Sequence, residues 1–283
     1  MLSPDPGSQR LILSELWVYP LKSGRGISVP QAEITPMGLQ YDRRWMLVDR
    51  QGRFLTQREL PQLAKMRVTL ASDHLHCAFE NQACLIPFLT HQDQPVELSV
   101  KVWRSEVKAW GHTPEIDQWF SECLGTPCHL VYMPDSTYRH TNPVYAPDGR
   151  VSFADGYPYL IANSASLERL NTQLAEAAQP TVTLERFRPN LVLRGAAPYA
   201  EDHWRTLRFE GPSTSYHFEI VKPCERCVIV NTHPQTGERS PEVLRTLGRD
   251  HRLEGKIIFG QNACCHQHQG ILERGMRAYA TVH

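Results

Sequence analysis

Short runs in which apolar and polar side chains alternate recur along most of the chain, and this period of two is typical of half-buried strands. The clearest run covers residues 11–19, Leu-Ile-Leu-Ser-Glu-Leu-Trp-Val-Tyr, whose side chains divide into two faces. Residues 43–48 and 53–56, separated by the turn Asp-Arg-Gln-Gly, predict a β-hairpin. Further strands are predicted at residues 27–34, 67–70, 75–79, 95–103, 106–110, 128–133, 159–162, 190–193, 206–209, 217–221, 227–230 and 257–259, followed by a β-rich tail to residue 282.

Helical spacing of apolar residues occurs in only a few segments. Within residues 114–124, Ile116, Trp119 and Phe120 share one face, and the glycine that follows predicts the end of a helix. Asn163 predicts the cap of a second helix that runs to about residue 177. A short third helix is predicted at residues 241–247.

The pattern as a whole predicts a mostly β protein with a few helices (α+β), organised as two β-rich lobes. Residues 134–150 are polar and contain three prolines. Such a stretch is typical of the region between two domains.

Charge and composition exclude several classes of function. Thirty basic residues balance thirty acidic ones, so no general positive field favours nucleic acid or an anionic membrane. The apolar runs are too short to span a bilayer. Because the first residues, Met-Leu-Ser-Pro-Asp-Pro, carry no secretory signal, we expect a cytoplasmic protein whose eight cysteines are reduced thiols.

The stretch Lys-Pro-Cys-Glu-Arg-Cys at residues 222–227 carries the strongest chemical signal. Cys224 and Cys227 are three positions apart, with Arg226 between them. A thiol beside a fixed positive charge ionises readily and then acts as a nucleophile or a metal ligand. The residues alone leave three interpretations open for this pair: half of a zinc site, a redox pair, or two buried thiols.

The redox and zinc interpretations each require a different feature elsewhere in the chain. A thioredoxin-like redox pair should open a helix, whereas Val-Ile-Val at residues 228–230 favours a strand. A zinc site needs two more Cys or His ligands. The dense group that offers them downstream consists of His251, Cys264, Cys265, His266 and His268.

Basic residues on turns between the predicted strands suit a multiply charged anion, because guanidinium groups grip phosphate oxygens with two parallel hydrogen bonds. Asp155, which precedes Gly156, is either a turn former or an acid/base or orienting carboxylate beside the anion. The basic residues in question are Lys22, Arg25, Arg43, Arg44, Arg186, Arg188 and Arg226, with Ser23 on the first turn.

Six segments, in order along nearly the whole chain, resemble motifs of the MOSC proteins, the molybdenum-cofactor sulfurase C-terminal domain family. The likeness is to the branch with an N-terminal MOSC β-barrel domain, which includes bacterial enzymes that detoxify N-hydroxylated bases and mitochondrial amidoxime-reducing components. It implies a MOSC N-terminal β-barrel domain over residues 10–125 and a MOSC domain over residues 126–283. The segments are Tyr-Pro-Leu-Lys-Ser (19–23), Asp-Arg-Arg-Trp (42–45), Phe-Ala-Asp-Gly-Tyr-Pro (153–158), Phe-Arg-Pro-Asn (187–190), Lys-Pro-Cys-Glu-Arg-Cys (222–227) and Phe-Gly-Gln-Asn (259–262).

The resemblance implies a role for each matched residue. Cys227 would be the thiolate ligand of molybdenum, which would take its other sulfurs from a molybdopterin, and Cys224 would be a neighbour only. Asp155 would lie near the open side of the metal, in reach of substrate, and Arg226 would keep Cys227 ionised. The residues implied to hold the cofactor are Lys22, Ser23, Arg43, Gly156, Tyr157, Arg188, Asn190, Arg226 and Asn262.

The implied activity is two-electron reduction of N-hydroxylated small molecules, such as N-hydroxylated bases and amidoximes. Close bacterial relatives often carry a ferredoxin domain with a C-x₄-C-x₂-C pattern, and this chain has none, so a separate iron–sulfur or haem protein is expected as electron donor. The alternative is a cofactor carrier or sulfur-transfer protein that uses Cys227 without turnover. A structural zinc protein or a small-molecule binding module is a third possibility.

Overall fold

The computed structural model describes residues 8–282, and the predicted fold class is confirmed: strands predominate, with three α-helices. Residues 1–6, on which the signal-peptide expectation rests, lie outside this range. The helices are α1 (Pro114–Leu124), α2 (Ser164–Glu176) and α3 (Glu242–Asp250). The strands are β1 (Gln9–Val18), β2 (Ile27–Ser28), β3 (Gln31–Thr35), β4 (Gly38–Leu39), β5 (Trp45–Val48), β6 (Arg67–Leu70), β7 (His74–Phe79), β8 (Gln82–Pro87), β9 (Glu97–Val102), β10 (Ser105–Gly111), β11 (His129–Tyr132), β12 (Tyr159–Asn163), β13 (Leu191–Arg194), β14 (Trp204–Glu210), β15 (Ser215–Glu225), β16 (Arg252–Leu253), β17 (Lys256–Cys265), β18 (Ile271–Glu273) and β19 (Arg277–Val282).

The larger lobe is a closed seven-stranded barrel. Its strands follow the order β12-β13-β1-β19-β14-β15-β17, and β17 pairs back with β12. Only the β12–β13 pair is parallel; the other neighbours are antiparallel. Aromatic rings fill the interior: Phe218 lies 4.9 Å from Tyr159 and 5.1 Å from Phe209. Closure leaves the seven barrel strands without an open edge.

Strand β1 ties the start of the chain into this barrel. It lies between β13 and β19, so strands from opposite ends of the sequence are neighbours. Leu11, Leu13 and Leu16 are all fully buried, although strict alternation places Leu13 and Leu16 on opposite faces. An irregularity in the pairing with β13 between Leu13 and Glu15 shifts the register and brings both residues inward. The bounds 10–125 and 126–283 stay a prediction, with β1 contributing to the barrel that the second segment mostly builds.

The smaller lobe is a curled half-barrel of order β5-β11-β10-β9, accompanied by a three-stranded sheet of order β6-β7-β8. Helix α1 covers it and buries Ile116, Phe120 and Leu124, which follow the predicted helical spacing. Gly125 ends the helix with φ of 63°, the left-handed conformation that glycine adopts without strain. Strand β8 has no counterpart among the sequence predictions.

The predicted hairpin of residues 43–48 and 53–56 forms only next to its turn. There Val48 and Phe54 make an antiparallel bridge, flanked by hydrogen bonds from the Asp49 N–H to the Arg53 carbonyl and from the Leu55 N–H to the Leu47 carbonyl. The other edge of β5 pairs with β11. The carboxylate of Asp49 accepts hydrogen bonds from the N–H groups of Gln51 and Arg53. The chain then leaves towards β9, where a parallel bridge joins Arg53 to Lys101.

The predicted strand at 227–230 is wrong. Strand β15 ends at Glu225, and residues Val228–Asn231 form one turn of 3₁₀ helix in which the Val230 N–H donates to the Cys227 carbonyl at 3.3 Å. This turn buries Val230 in an apolar cluster that includes Val243 and Leu247 of α3. Tertiary packing therefore overrides the β preference of the Val-Ile-Val run.

None of the helices in residues 8–282 is long and apolar enough to cross a membrane.

Candidate functional site

All eleven residues predicted for the site line one cleft. They come from turns and strand ends that are far apart in sequence, on both lobes. The set consists of Lys22, Ser23, Arg43, Asp155, Gly156, Tyr157, Arg188, Asn190, Arg226, Cys227 and Asn262.

Two arginines and a tyrosine form the floor of the cleft. The guanidinium carbons of Arg43 and Arg188 lie 4.3 Å and 4.4 Å from the ring centre of Tyr19. Both arginines have left-handed backbones, with φ of 50° and 57°. Such conformations are costly outside glycine and persist only where the surroundings enforce them. Burial, together with the charge of Arg43, lowers the pKa of Arg188 to about 10.

Hydrogen bonds fix the orientation of Arg43. Its Nη1 donates to Asp42 at 2.5 Å and to the side-chain oxygen of Asn190 at 3.0 Å, while Nη2 donates to the Arg188 carbonyl at 3.0 Å. Asn190 also accepts from the Leu160 N–H, and its Nδ2 donates to a backbone carbonyl. Asn190 is therefore occupied by protein groups and positions Arg43.

Lys22 and Asp155 form an ion pair at the side wall. The Lys22 ammonium donates to Asp155 Oδ1 at 2.7 Å and to the Phe153 carbonyl at 2.8 Å. Lys22 is buried, whereas the Asp155 side chain is 68% exposed. Desolvation raises the pKa of Asp155, but the charge and hydrogen bond of Lys22, the hydrogen bond from Trp103 and the charge of Arg58 outweigh it and hold that pKa well below its usual range.

Cys227 lies on the opposite wall, just before the 3₁₀ turn, with its side chain half-buried. Its sulfur accepts a hydrogen bond from Nη2 of Arg58 at 3.6 Å. Arg58 in turn stacks over the ring of Trp103, with its guanidinium carbon 4.8 Å from the ring centre. The indole N–H of Trp103 donates to Asp155 Oδ1 at 3.1 Å. A chain of contacts thus joins Cys227 to Asp155 across the mouth of the cleft.

The expectation that Arg226 keeps Cys227 charged does not match the geometry. Nη1 of Arg226 donates to the sulfur of Cys224 at 2.8 Å, and Nη2 donates to the Phe187 carbonyl at 2.8 Å. The two cysteines therefore have different cationic partners. The Arg226 guanidinium, just after the end of β15, points back towards Cys224, an arrangement that adjacency in sequence does not reveal.

The other predicted residues occupy the borders of the cleft. Ser23 has a left-handed backbone with φ of 67° and follows Lys22 in the first turn. Asn262, on β17, donates from Nδ2 to the carbonyls of Lys222 and Pro223 and so supports the cysteine segment. A Cβ atom on Gly156 would meet open space. Burial raises the pKa of Tyr157 to about 12.

Sequence reasoning missed several residues of the site. Thr56, Gln57 and Arg58 line the cleft from the segment after β5. Arg139 is buried and holds the loop of Asp155 in place by donating to the Asp155 carbonyl at 2.9 Å and to neighbouring carbonyls. A basic residue on a turn was the available signal for Arg58, and it is the same signal that identified Arg43.

The charge of the cleft favours an anionic ligand. Five cationic side chains line it, against the two carboxylates of Asp155 and Glu225. Glu225 is already paired with Lys222 and Lys256. Nε of Arg226 is buried without a hydrogen-bond partner among residues 8–282, so a donor remains for a ligand. The cationic residues are Lys22, Arg43, Arg58, Arg188 and Arg226.

The zinc interpretation loses its support. Within the part of the chain that the structure describes, no three His, Cys, Asp or Glu side chains come together in a way that could hold a metal ion. Cys224 and Cys227 therefore lack the two further protein ligands that structural zinc requires. A soft metal at Cys227 would have to bring most of its ligands with it.

The fold and site define a two-lobed β protein with a cationic cleft and a thiol at its wall. Residues 10–127 match the MOSC N-terminal beta barrel domain, and residues 148–277 match the MOSC domain. The chain therefore belongs to the MOSC family, in the branch that carries the N-terminal β-barrel domain, and the resemblance to that family is confirmed.

Curated relatives extend over most of the chain. It is 32% identical to a molybdenum cofactor sulfurase of Oryza sativa subsp. japonica, over 90% of this chain and 33% of that protein. It is 32% identical to mitochondrial amidoxime-reducing component 1 of Mus musculus, over 88% of this chain and 76% of that protein. The chain thus spans about a third of the plant relative and about three quarters of the mouse one. The chain is also 9% identical to a solved YUAD protein from Bacillus subtilis, over 98% of each chain, with a TM-score of 0.42.

Proposed function

We propose that the cleft binds a molybdenum cofactor, with Cys227 as the protein ligand of the metal, and that the protein reduces N-hydroxylated compounds. The observation that carries this proposal is the convergence of the eleven predicted residues on one cationic cleft with a thiol at its wall. A thiolate suits a soft metal such as molybdenum. A phosphate-bearing cofactor suits the cationic floor.

The residues present fit such a group. Arg188 makes a single guanidinium hydrogen bond within residues 8–282, from Nη1 to the Gly24 carbonyl, so the rest of its fork remains for a phosphate. Ser23 and Tyr157 offer further polar groups at the border. Arg43 and Asn190 are committed to the floor and would act mainly through shape and charge. Cys227 would reach the metal from the barrel lobe.

The bound cofactor would supply two-electron reduction of the N–O bond, and the chain would orient the substrate. Asp155 suits this task because its pKa lies well below the usual range, so it stays ionised at neutral pH and accepts hydrogen bonds instead of delivering protons. Its two hydrogen bonds, from Lys22 and Trp103, both reach Oδ1. Oδ2 is left for an N–H group of an amidoxime or a hydroxylated base.

Relatives support the proposal at the level of the class. The relative from Mus musculus is a mitochondrial amidoxime-reducing component, and the match covers 76% of it. An electron donor on a separate protein and a cytoplasmic location belong to the proposal as well.

A cofactor carrier or sulfur-transfer protein is the second candidate. The molybdenum cofactor sulfurase of Oryza sativa matches 90% of the chain, and that likeness favours the candidate directly. In this case Cys227 would hold sulfur or pass on the cofactor, and the same cleft would bind without turnover.

Metal analysis of two matched variants tests the ligand assignment. Protein made in a host that synthesises the cofactor should contain about one molybdenum per chain, as a single ligand set implies. Cys227→Ala should abolish retention of the metal, whereas Cys224→Ala, three residues away, should retain it. Zinc in place of molybdenum, or equal losses in the two variants, would contradict the assignment.

Turnover separates the two candidates. The loaded protein should reduce benzamidoxime to benzamidine with a chemical electron donor, measured by chromatography of the product. A loaded protein that reduces no amidoxime or hydroxylated base with any donor would favour the carrier.

A further inference from the structure

Arg58, which approaches Cys227 from the smaller lobe, has no assigned role. We propose that Arg58 is the positioning residue of Cys227: it holds the sulfur in the cleft and makes the space beside that sulfur selective for anionic groups. The inference rests on the proposed function only for the identity of the anion, which would be the molybdenum cofactor. The contacts themselves involve this chain alone.

The two thiols of the Cys-Glu-Arg-Cys segment have separate partners. Arg58 Nη2 lies 3.6 Å from the sulfur of Cys227, and Arg226 Nη1 lies 2.8 Å from the sulfur of Cys224. Cys227 therefore receives its neighbouring positive charge from the smaller lobe, across the cleft. The nearer arginine in sequence serves the other thiol.

Arg58 is held in place by groups on both lobes. Its guanidinium lies over the ring of Trp103, a cation–π contact that restricts the side chain. Arg239 of the barrel lobe donates to the carbonyls of Gln57 at 2.6 Å and Arg58 at 2.8 Å. Gln57 Nε2 donates to the Ser23 carbonyl at 2.7 Å. The backbone of the segment is thus bound to the same lobe that carries Cys227.

The guanidinium of Arg58 keeps donors for a ligand. It has five N–H donors in a planar fork, and the contact with Cys227 is its one hydrogen bond within residues 8–282. The side chain lines the cleft and is half-buried. An anionic group that approaches Cys227 therefore meets a positive charge already in position.

Charge-selective alkylation of the cofactor-free protein tests the proposal. Iodoacetate is anionic, iodoacetamide is neutral, and both react with the same thiolate, so the ratio of their rates cancels the ionised fraction of the thiol. Rates at Cys227 and Cys224 are followed by site-resolved mass spectrometry. In Arg58→Met the iodoacetate-to-iodoacetamide ratio at Cys227 should fall about fivefold, the effect of unit charges about 4 Å apart in water. The ratio at Cys224 should not change.

Matched variants complete the design. In Arg58→Lys, the iodoacetate-to-iodoacetamide rate ratio at Cys227 should stay close to that of the unsubstituted protein. In Arg226→Met, the ratio should fall at Cys224 alone. Arg53→Met removes an exposed charge from the same segment and should alter neither ratio. In the unsubstituted protein, added salt should lower the ratio at Cys227, which keeps the proposal testable if Arg58→Met does not fold.

An unchanged ratio at Cys227 in Arg58→Met, or a larger effect there from Arg226→Met, would overturn the proposal. Molybdenum content is measured separately: Arg58→Met should retain less metal than Arg58→Lys. If no form of the protein contains molybdenum, the proposed function fails, while the alkylation ratios still decide the role of Arg58.

Discussion

Two buried carboxylates, Asp42 and Glu201, pack against the same barrel. Asp42 has a hydrogen-bond donor on each oxygen, whereas Glu201 has one on a single oxygen. At the floor of the cleft, Asp42 accepts a hydrogen bond on each oxygen, from the Tyr19 N–H at 2.8 Å and from Arg43 at 2.5 Å. On the side of α2, Glu201 accepts from the Ser166 hydroxyl at 2.8 Å, and its other oxygen is buried without a partner among residues 8–282.

The difference shows how burial acts on charge. A carboxylate with a cation and a full set of donors forms part of a rigid anion-binding floor. Desolvation raises the pKa of both carboxyl groups. At Asp42 the charge and hydrogen bond of Arg43 oppose that rise, whereas Glu201 has no cation beside it within residues 8–282 and its pKa rises to about 7. We therefore expect that loss of the cation beside Asp42 lowers the stability, and that removal of the ionisable group at residue 201 raises it at neutral pH.

The largest effect is expected from Arg43→Met. This change leaves Asp42 buried without its cation and removes the two hydrogen bonds that Arg43 donates to the Asn190 side-chain oxygen and to the Arg188 carbonyl. The free energy of unfolding in urea should fall by about 3–5 kcal/mol, as for other buried ion pairs that lose one partner. Arg53→Met, which breaks an exposed pair, should cost less than about 1 kcal/mol. Similar losses of unfolding free energy in Arg43→Met and Arg53→Met would contradict the distinction between a buried and an exposed ion pair.

The next effect is a pH dependence that arises from Glu201. Burial raises its pKa to about 7 in the folded protein, from an ordinary value of 4.5. The folded state then binds more protons at Glu201 than the unfolded state does between these values. The contribution of Glu201 to stability is therefore fully present below about pH 4.5 and is lost as the pH rises to about 7. The contribution of this group should decrease by about 3 kcal/mol over that interval.

Glu201→Gln isolates this contribution. The amide has no charge to desolvate, so the difference in unfolding free energy between the variant and the unsubstituted protein should grow in favour of the variant from pH 5 to pH 8. Urea unfolding at several pH values measures it. A difference independent of pH would mean that Glu201 does not carry the proton.

The smallest effect on stability is expected at the rim. Asp155→Asn keeps an oxygen that accepts from Lys22 and Trp103, and the side chain is 68% exposed. The free energy of unfolding should therefore change by less than about 1 kcal/mol. If the proposed function holds, KM for benzamidoxime should rise, because the amide is a weaker acceptor for the N–H group. An unchanged KM would place substrate recognition elsewhere.

Much of the fold could be predicted because its elements follow local patterns. Helix α1 has the predicted bounds, and α2 begins at the cap, where the Asn163 side chain accepts from the Ala165 N–H. The secondary-structure predictions failed where contacts between residues distant in sequence determine the conformation. Strand β5 finds its partner in β11, more than eighty residues on, and residues after Cys227 turn into a 3₁₀ helix because Val230 is buried.

The candidate site shows the same division. The resemblance of six short motifs to the family sufficed to name eleven lining residues, several of them basic residues on turns. Arg58 and Trp103 were missed because they lie outside those motifs, and a basic residue on a turn does not by itself distinguish Arg58 from solvated surface arginines. Their roles depend on contacts with Cys227 and Asp155.

The amino-acid sequence alone determined the strand-rich class, the helices with their caps, and the set of polar residues and thiols that the cleft would use. These follow from periodicity and side-chain chemistry, which are local properties. The tertiary structure alone decided that β1 completes the barrel, that Arg226 faces Cys224, and that Arg58 reaches Cys227 from the other lobe. The reason is that the contacts of side chains across a cleft depend on how the strands pair and how the loops between them are placed. The spacing of residues along the chain does not specify those distances.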